Sequence, residues 1–130
     1  MSYQYDDQNV FAKILRGELP CKKVYESEHS LAFEDIAAIT KHHILVIPKG
    51  PYVCFDHFAQ AASSDEIIDY TRAIGEISRI LEVAPSNGGN GYRILSNTGK
   101  DGAQMVPHLH IHFFAGEPLG SMLQKQIREQ

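Results

Sequence analysis

Gln104-Met105-Val106-Pro107-His108-Leu109-His110-Ile111-His112-Phe113-Phe114 is the stretch on which the fold turns. Three of the chain's seven histidines recur here at every second residue, separated by large apolar side chains. Successive side chains of a strand leave on opposite faces, and a run rich in β-branched and aromatic residues favours a strand. The pattern therefore predicts a strand with His108, His110 and His112 on one face, neighbouring rings about 6.5–7 Å apart, and Leu109, Ile111 and Phe113 in the core. A helix would scatter the three imidazoles, because only positions three or four apart are neighbours on it.

Such a row admits three chemistries. The interleaved Leu109, Ile111 and Phe113 argue against a solvated, tag-like run. Imidazole is the commonest transition-metal ligand, and two ligands two apart on a strand is a familiar arrangement. No fourth Cys or carboxylate stands at a suggestive spacing, however, and no metal is assigned. The third chemistry is catalysis. An imidazole of ordinary pKa near ~6.5 is largely neutral at pH 7 and can attack without a separate base. Its neighbours can hydrogen-bond the negative charge of a phosphate.

The rest of the chain sets bounds on that chemistry. Its 130 residues suit one domain, and 22% charged with 43% hydrophobic residues is an ordinary soluble composition. A formal net charge of −4 argues against a nucleic-acid binder, although it leaves room for a small anionic ligand in a local pocket. Cys21 and Cys54 are too few for a disulfide scaffold and read as thiols of a reducing compartment. The polar, acidic start has no apolar signal core, and no run approaches the ~20 residues that span a bilayer. The expectation is a cytoplasmic protein with no membrane association.

Taken in order, residues 1–9 are polar and read as a flexible segment. Val10, Phe11, Ile14 and Leu15 have helical spacing, with Gly17 as a stop. Residues 23–26 and 31–34 read as a hairpin about the turn 27–30. Asp35 follows directly, where an Asp is usually a turn or cap residue. Residues 43–48 form an apolar strand closed by Pro48, flanked by Lys49, a basic rim or simply a solvated side chain. Residues 51–62 are of mixed character, a helical turn at most. Ser63 and Glu66 offer a capping box to a long helix carrying Ile67, Tyr70, Ile74, Ile77 and Leu81. Gly75 within it is read as permitting close packing on the sheet. Residues 92–96 form the next strand, and a Gly-containing loop, 97–103, leads into the histidines with backbone N–H groups that could face a phosphate. The sum is an α+β domain over 10–116, a mainly antiparallel sheet of about five strands with one long and one short helix, followed by a tail, 117–130, whose end (121–130) reads as a frayed helix.

The histidine row, His108-Leu109-His110-Ile111-His112-Phe113-Phe114, resembles the signature of the histidine-triad (HIT) nucleotide hydrolases and transferases. Phe33-Glu34-Asp35-Ile36, His43-Ile44-Leu45-Val46-Ile47-Pro48-Lys49, and Gly91-Tyr92-Arg93-Ile94 followed by Asn97 and Gly102-Ala103-Gln104 are similar to the same family, in the same order. The likeness runs from Val10 to about Gly116 and is closest to the nucleotide-binding branch. It implies a HIT-like fold, a two-fold homodimer, a purine nucleotide or nucleoside phosphoramidate as ligand, and no cofactor.

The resemblance also assigns roles. Phe11 and Ile14 would wall a purine pocket, Asp35 would accept bonds from ribose hydroxyls, and Phe33 and Ile36 would flank sugar and base. His110 would attack the α-phosphorus to give a nucleotidyl-histidine, with its other ring nitrogen held by the main-chain carbonyl of His108. His112 would bond phosphate oxygens or the bridging atom, and His43, preferred over His42 by its spacing from Asp35, would support the nucleophile together with the His108 ring. Asn97, Gln104 and the main chain near Ala103 would grip the phosphate. Two departures stand out. Met105 occupies a place where a serine is frequent, and a thioether is only a weak acceptor. Ala103 stands where glycine is common, which is tolerable at negative φ. The leading function is hydrolysis of purine nucleoside phosphoramidates; dinucleoside polyphosphate hydrolysis and a binding module acting through protein contacts are the alternatives.

Overall fold

A computed structural model of the chain describes residues 2–123. Its centre is a five-stranded sheet: β1 (Lys23–Glu26), β2 (Ser30–Glu34), β3 (His42–Pro48), β4 (Tyr92–Leu95) and β5 (Ile111–Ala115). The spatial order is β1-β2-β3-β5-β4 and every pairing is antiparallel. Three helices accompany it: α1 (Val10–Leu15), α2 (Phe55–Ala61) and α3 (Ser64–Ile80). Residues 51–62 thus contain a full helix rather than a single turn. Among the described residues no helix is long and apolar enough to cross a membrane.

Alternation along the strands divides the core into two. Ala32, Ile44, Val46, Leu109, Ile111 and Phe113 pack with Tyr70, Ala73 and Ile77 of α3 and Phe58 of α2. Leu31, Phe33, Leu45 and Ile47 point the other way and pack with Phe11 of α1. Burying each large side chain contributes about 1.5–3 kcal/mol relative to exposure. The second face, carrying the smaller core, is the one on which the histidines sit.

Local signals explain the helix starts. Asn9 caps α1 by accepting from the N–H groups of Phe11 and Ala12, both at 2.9 Å. At α3, Ser63 and Glu66 form the reciprocal capping box expected of them. Gly75 does not pack on the sheet: a Cβ there would meet only the guanidinium of Arg79, at 3.6 Å. In the segment 1–9, expected to be flexible from its polarity, the described residues 2–9 are held at several points. Tyr3 donates to Asp56 and stacks on His57, Tyr5 reaches His108, and Asn9 is buried. Residues 121–123 carry no helix, and the remainder of the expected terminal helix lies outside the described residues.

Candidate active site

The histidine row is shorter as a strand than its alternation predicts. Only residues 111–115 pair in the sheet, beginning at the Val46–Ile111 partnership. Upstream, β3 has only Ile47 and Pro48 left to offer, and Pro48 has no N–H to extend a ladder. Its carbonyl is taken instead by His108 Nε2 at 2.8 Å. His108 and His110 therefore lie in an extended lead-in, tied by Leu109 N–H to Tyr52 O (2.8 Å) and by the Ser96 hydroxyl to His110 O (3.1 Å). This draws the rings of His110 and His112 to 5.0 Å, closer than regular strand spacing.

Hydrogen-bond partners define the tautomers. A carbonyl oxygen only accepts, so His108 carries its proton on Nε2 and His110 carries its own on Nδ1, which donates to His108 O at 2.8 Å. His110 Nε2 keeps its lone pair. His43 Nδ1 accepts from Ile39 N–H (3.3 Å), so its Nε2–H faces His112 Nδ1 at 3.0 Å and Asp35 Oδ2 at 3.3 Å. His112 must then hold its proton on Nε2. His43 thus touches His112 rather than His110, and the His108 ring turns away toward Pro48 and Tyr5. Neither ring contacts the His110 ring from behind; the link from His108 to His110 runs through the main chain.

Burial makes these imidazoles weak bases. It pushes His108 and His112 down to about 4 and lowers His110 and His43 as well. The carbonyl bond to His108 and the Asp35 charge beside His43 oppose the shifts without reversing them. All four rings are neutral at pH 7.

A cavity of about 570 Å³ opens on this face, a size suited to a small organic ligand. Phe11, Ile14, Phe33 and Leu45 form its apolar walls, and Asp35, Asn97, Ala103, His110 and His112 also line it. At its mouth Ile36 is fully exposed and Met105 is 86% exposed. Ten of the eleven residues expected at a nucleotide site are therefore gathered. The exception is Gln104, whose amide N–H groups go to Val53 O and Val106 O while its oxygen accepts from Gly99 N–H. It shapes the loop instead of facing the cavity.

The same loop alters two further expectations. Ala103 has φ of +57°, not the negative value that would make alanine comfortable, a left-handed conformation costing roughly 1–2 kcal/mol. Its N–H is committed to Lys100 O at 3.0 Å and is not free for a phosphate. Asp35 is a turn cap, its Oδ1 accepting from Ala37 N–H (2.8 Å), while Oδ2 faces His43 at the edge of the cavity. Lys49 does not line this cavity; it forms a partly exposed ion pair with Glu26 at 2.7 Å. Leu45, two residues from His43 on the same strand, could have been added to the site by alternation; Ser96 and Tyr5 carried no such signal.

Asp35, His43 and His112 offer ligand atoms within 4.8 Å of one another, a carboxylate the spacing of the sequence did not single out. Their separations suit a tetrahedral ion. The tautomer of His43 does not: binding through Nε2 would move its proton to Nδ1, directly against Ile39 N–H.

Fold and site together define an antiparallel α+β domain that presents aligned, neutral histidines to one small-molecule cavity. The HIT domain family model matches residues 16–119, and the chain belongs to that family. It is 56% identical to an uncharacterised 13.2 kDa HIT-like protein of Azospirillum brasilense, over 96% of this chain and 99% of the relative. It is 32% identical to the purine nucleoside phosphoramidase of Escherichia coli, over 90% of this chain and 94% of that enzyme. A solved HIT family hydrolase from Clostridium thermocellum superposes with a TM-score of 0.79 at 31% identity, covering 90% of this chain and 97% of the other.

Proposed function

We propose that the protein hydrolyses purine nucleoside phosphoramidates through a covalent nucleotidyl-histidine. The observation that carries this reading is the tautomer of His110. Its Nδ1–H is spent on a main-chain carbonyl, so a lone pair at Nε2 is left as the only nucleophilic atom of a ring lining the cavity. In the proposed reaction His110 Nε2 bonds to the α-phosphorus and the P–N bond breaks toward the amine, which leaves with the electron pair and is protonated from solvent. Water then attacks phosphorus, the bond to His110 breaks with its electron pair returning to Nε2, and the proton of the attacking water passes to solvent. The His112 Nε2–H steadies the phosphate oxygens. The Asp35 carboxylate takes the ribose hydroxyls, Asn97 bonds the phosphate, and the base lies between Phe11, Ile14, Phe33 and Ile36. The likeness to the E. coli phosphoramidase supports the substrate class.

Met105 favours a second reading. At the mouth of the cavity it offers no proton, which hinders an amine leaving group more than a nucleotide that departs as an anion. Dinucleoside polyphosphates would be the substrates in that case. Turnover of an AMP–amine conjugate against a diadenosine polyphosphate decides: the first is expected to be the better substrate, and the reverse order rejects it. We further propose a cytoplasmic homodimer. The edge strand β4 exposes Tyr92, Ile94 and Leu95, an apolar edge suited to pairing, and the thiols of Cys21 and Cys54 are free.

A further inference from the structure

Tyr5 stands outside the cavity and outside every motif, yet it closes the hydrogen-bond chain that ends at His110. Its hydroxyl is 2.6 Å from His108 Nδ1, with the two rings edge to face at 5.5 Å. Because His108 Nε2–H donates to Pro48 O, the neutral ring presents a lone pair at Nδ1, and the tyrosine donates to it. Both nitrogens of a ring with no solvent exposure are thereby satisfied. The same residue's carbonyl then accepts from His110 Nδ1–H. The segment that delivers Tyr5 is itself tethered. Tyr3 is anchored on α2 through Asp56 and His57, while Asn9 caps α1 and donates to Asp6 O at 2.7 Å.

We propose that Tyr5 is a positioning residue: it locks the tautomer and orientation of the His108 ring, and through the main-chain carbonyl of residue 108 it aims the His110 imidazole. The proposal rests on the reading of His110 as nucleophile for its kinetic consequence, but not for its structural one. Removing the hydroxyl leaves a buried acceptor without a donor, and the ring is free to turn or to draw in water. A small displacement of residue 108 passes directly to the reacting ring, where misplacement is penalised heavily. Tyr5 does not line the cavity, so nucleotide binding is untouched.

The test is Tyr5→Phe, which keeps the ring, read by steady-state kinetics and by the ¹⁵N resonances of the histidine rings in the ligand-free protein. The expected result is a roughly tenfold fall in kcat with KM within a factor of about two. The unprotonated Nδ1 resonance of His108 should move as its donor is lost, and the ring resonances of His110 should move with it. Tyr3→Phe, which removes one tether of the segment but leaves the Tyr5 hydroxyl and the stacking on His57 in place, is expected to lower kcat far less than Tyr5→Phe does. A Tyr5→Phe protein with parental kcat, an unmoved His110 signal, or an equal loss in Tyr3→Phe would each overturn the proposal. Should the parent cleave neither substrate class, the functional reading fails, while the ring resonances still decide the link from Tyr5 to His110.

Discussion

The four histidines of the site form two pairs that are held in opposite ways. His108 and His110 are fastened by main-chain carbonyls, Pro48 O and His108 O, in an extended segment that precedes the sheet. His43 and His112 stand on the adjacent strands β3 and β5 and are fastened to each other and to Asp35, side chain to side chain. A carbonyl cannot change its protonation state, so the first pair keeps one tautomer whatever the pocket contains. Imidazole and carboxylate partners can exchange protons, so the second pair can respond to a ligand. On the proposed mechanism the nucleophile belongs to the first pair and the charge-sensing donor to the second.

The sharpest way to break this division is to remove one ring from each pair. His110→Ala is expected to lower kcat on the order of 10³-fold or more, because an activated nucleophile has no substitute. His112→Ala should cost about 10²-fold, the effect of losing one donor to the developing charge. Equal losses in the two variants would erase the distinction.

A smaller effect sharpens it by pH. His108 and His112 are depressed to about 4 in the folded protein against about 6.5 when unfolded. Between those values the unfolded chain binds more protons, so stability is full above about pH 6.5 and is lost as pH falls toward 4, by on the order of 3 kcal/mol for the fully buried His108. Urea midpoints measured from pH 7 to 4 should fall accordingly, and a flat profile would count against the burial argument. Adding AMP should raise the titration midpoint of His112, which faces the anion, and leave that of His108 where it was. A common shift would mean that the pairs do not behave separately.

Much of this was readable in the chain. The strand register places Phe33, His43, Leu45 and His112 on one face by strict alternation, which is why the row and the motif residues converge on a single cavity. What could not be read depended on where carbonyls lie. The shortening of β5 follows from Pro48 in a neighbouring strand, and the orientation of His43 toward His112 follows from Ile39 N–H. The bonds of Gln104 to Val53 O, Val106 O and Gly99 N–H could not be read either, because a polar side chain in a tight turn is as readily consumed by its own loop as by a ligand. The positive φ of Ala103 left no trace because the residue there is not glycine. Tyr5 lay hidden in a polar segment, where composition suggested looseness and two aromatic anchors supplied order.

The proposed mechanism requires that His110 Nε2 bond to phosphorus. The most direct measurement is rapid mixing of the protein with an AMP–amine conjugate, quenching in alkaline denaturant, and mass-spectrometric mapping of the histidine-containing peptides. A transient adenylyl group is expected on His110 and on no other residue. An adduct on His108 or His112, or turnover that proceeds with no adduct at any quench time, would contradict it.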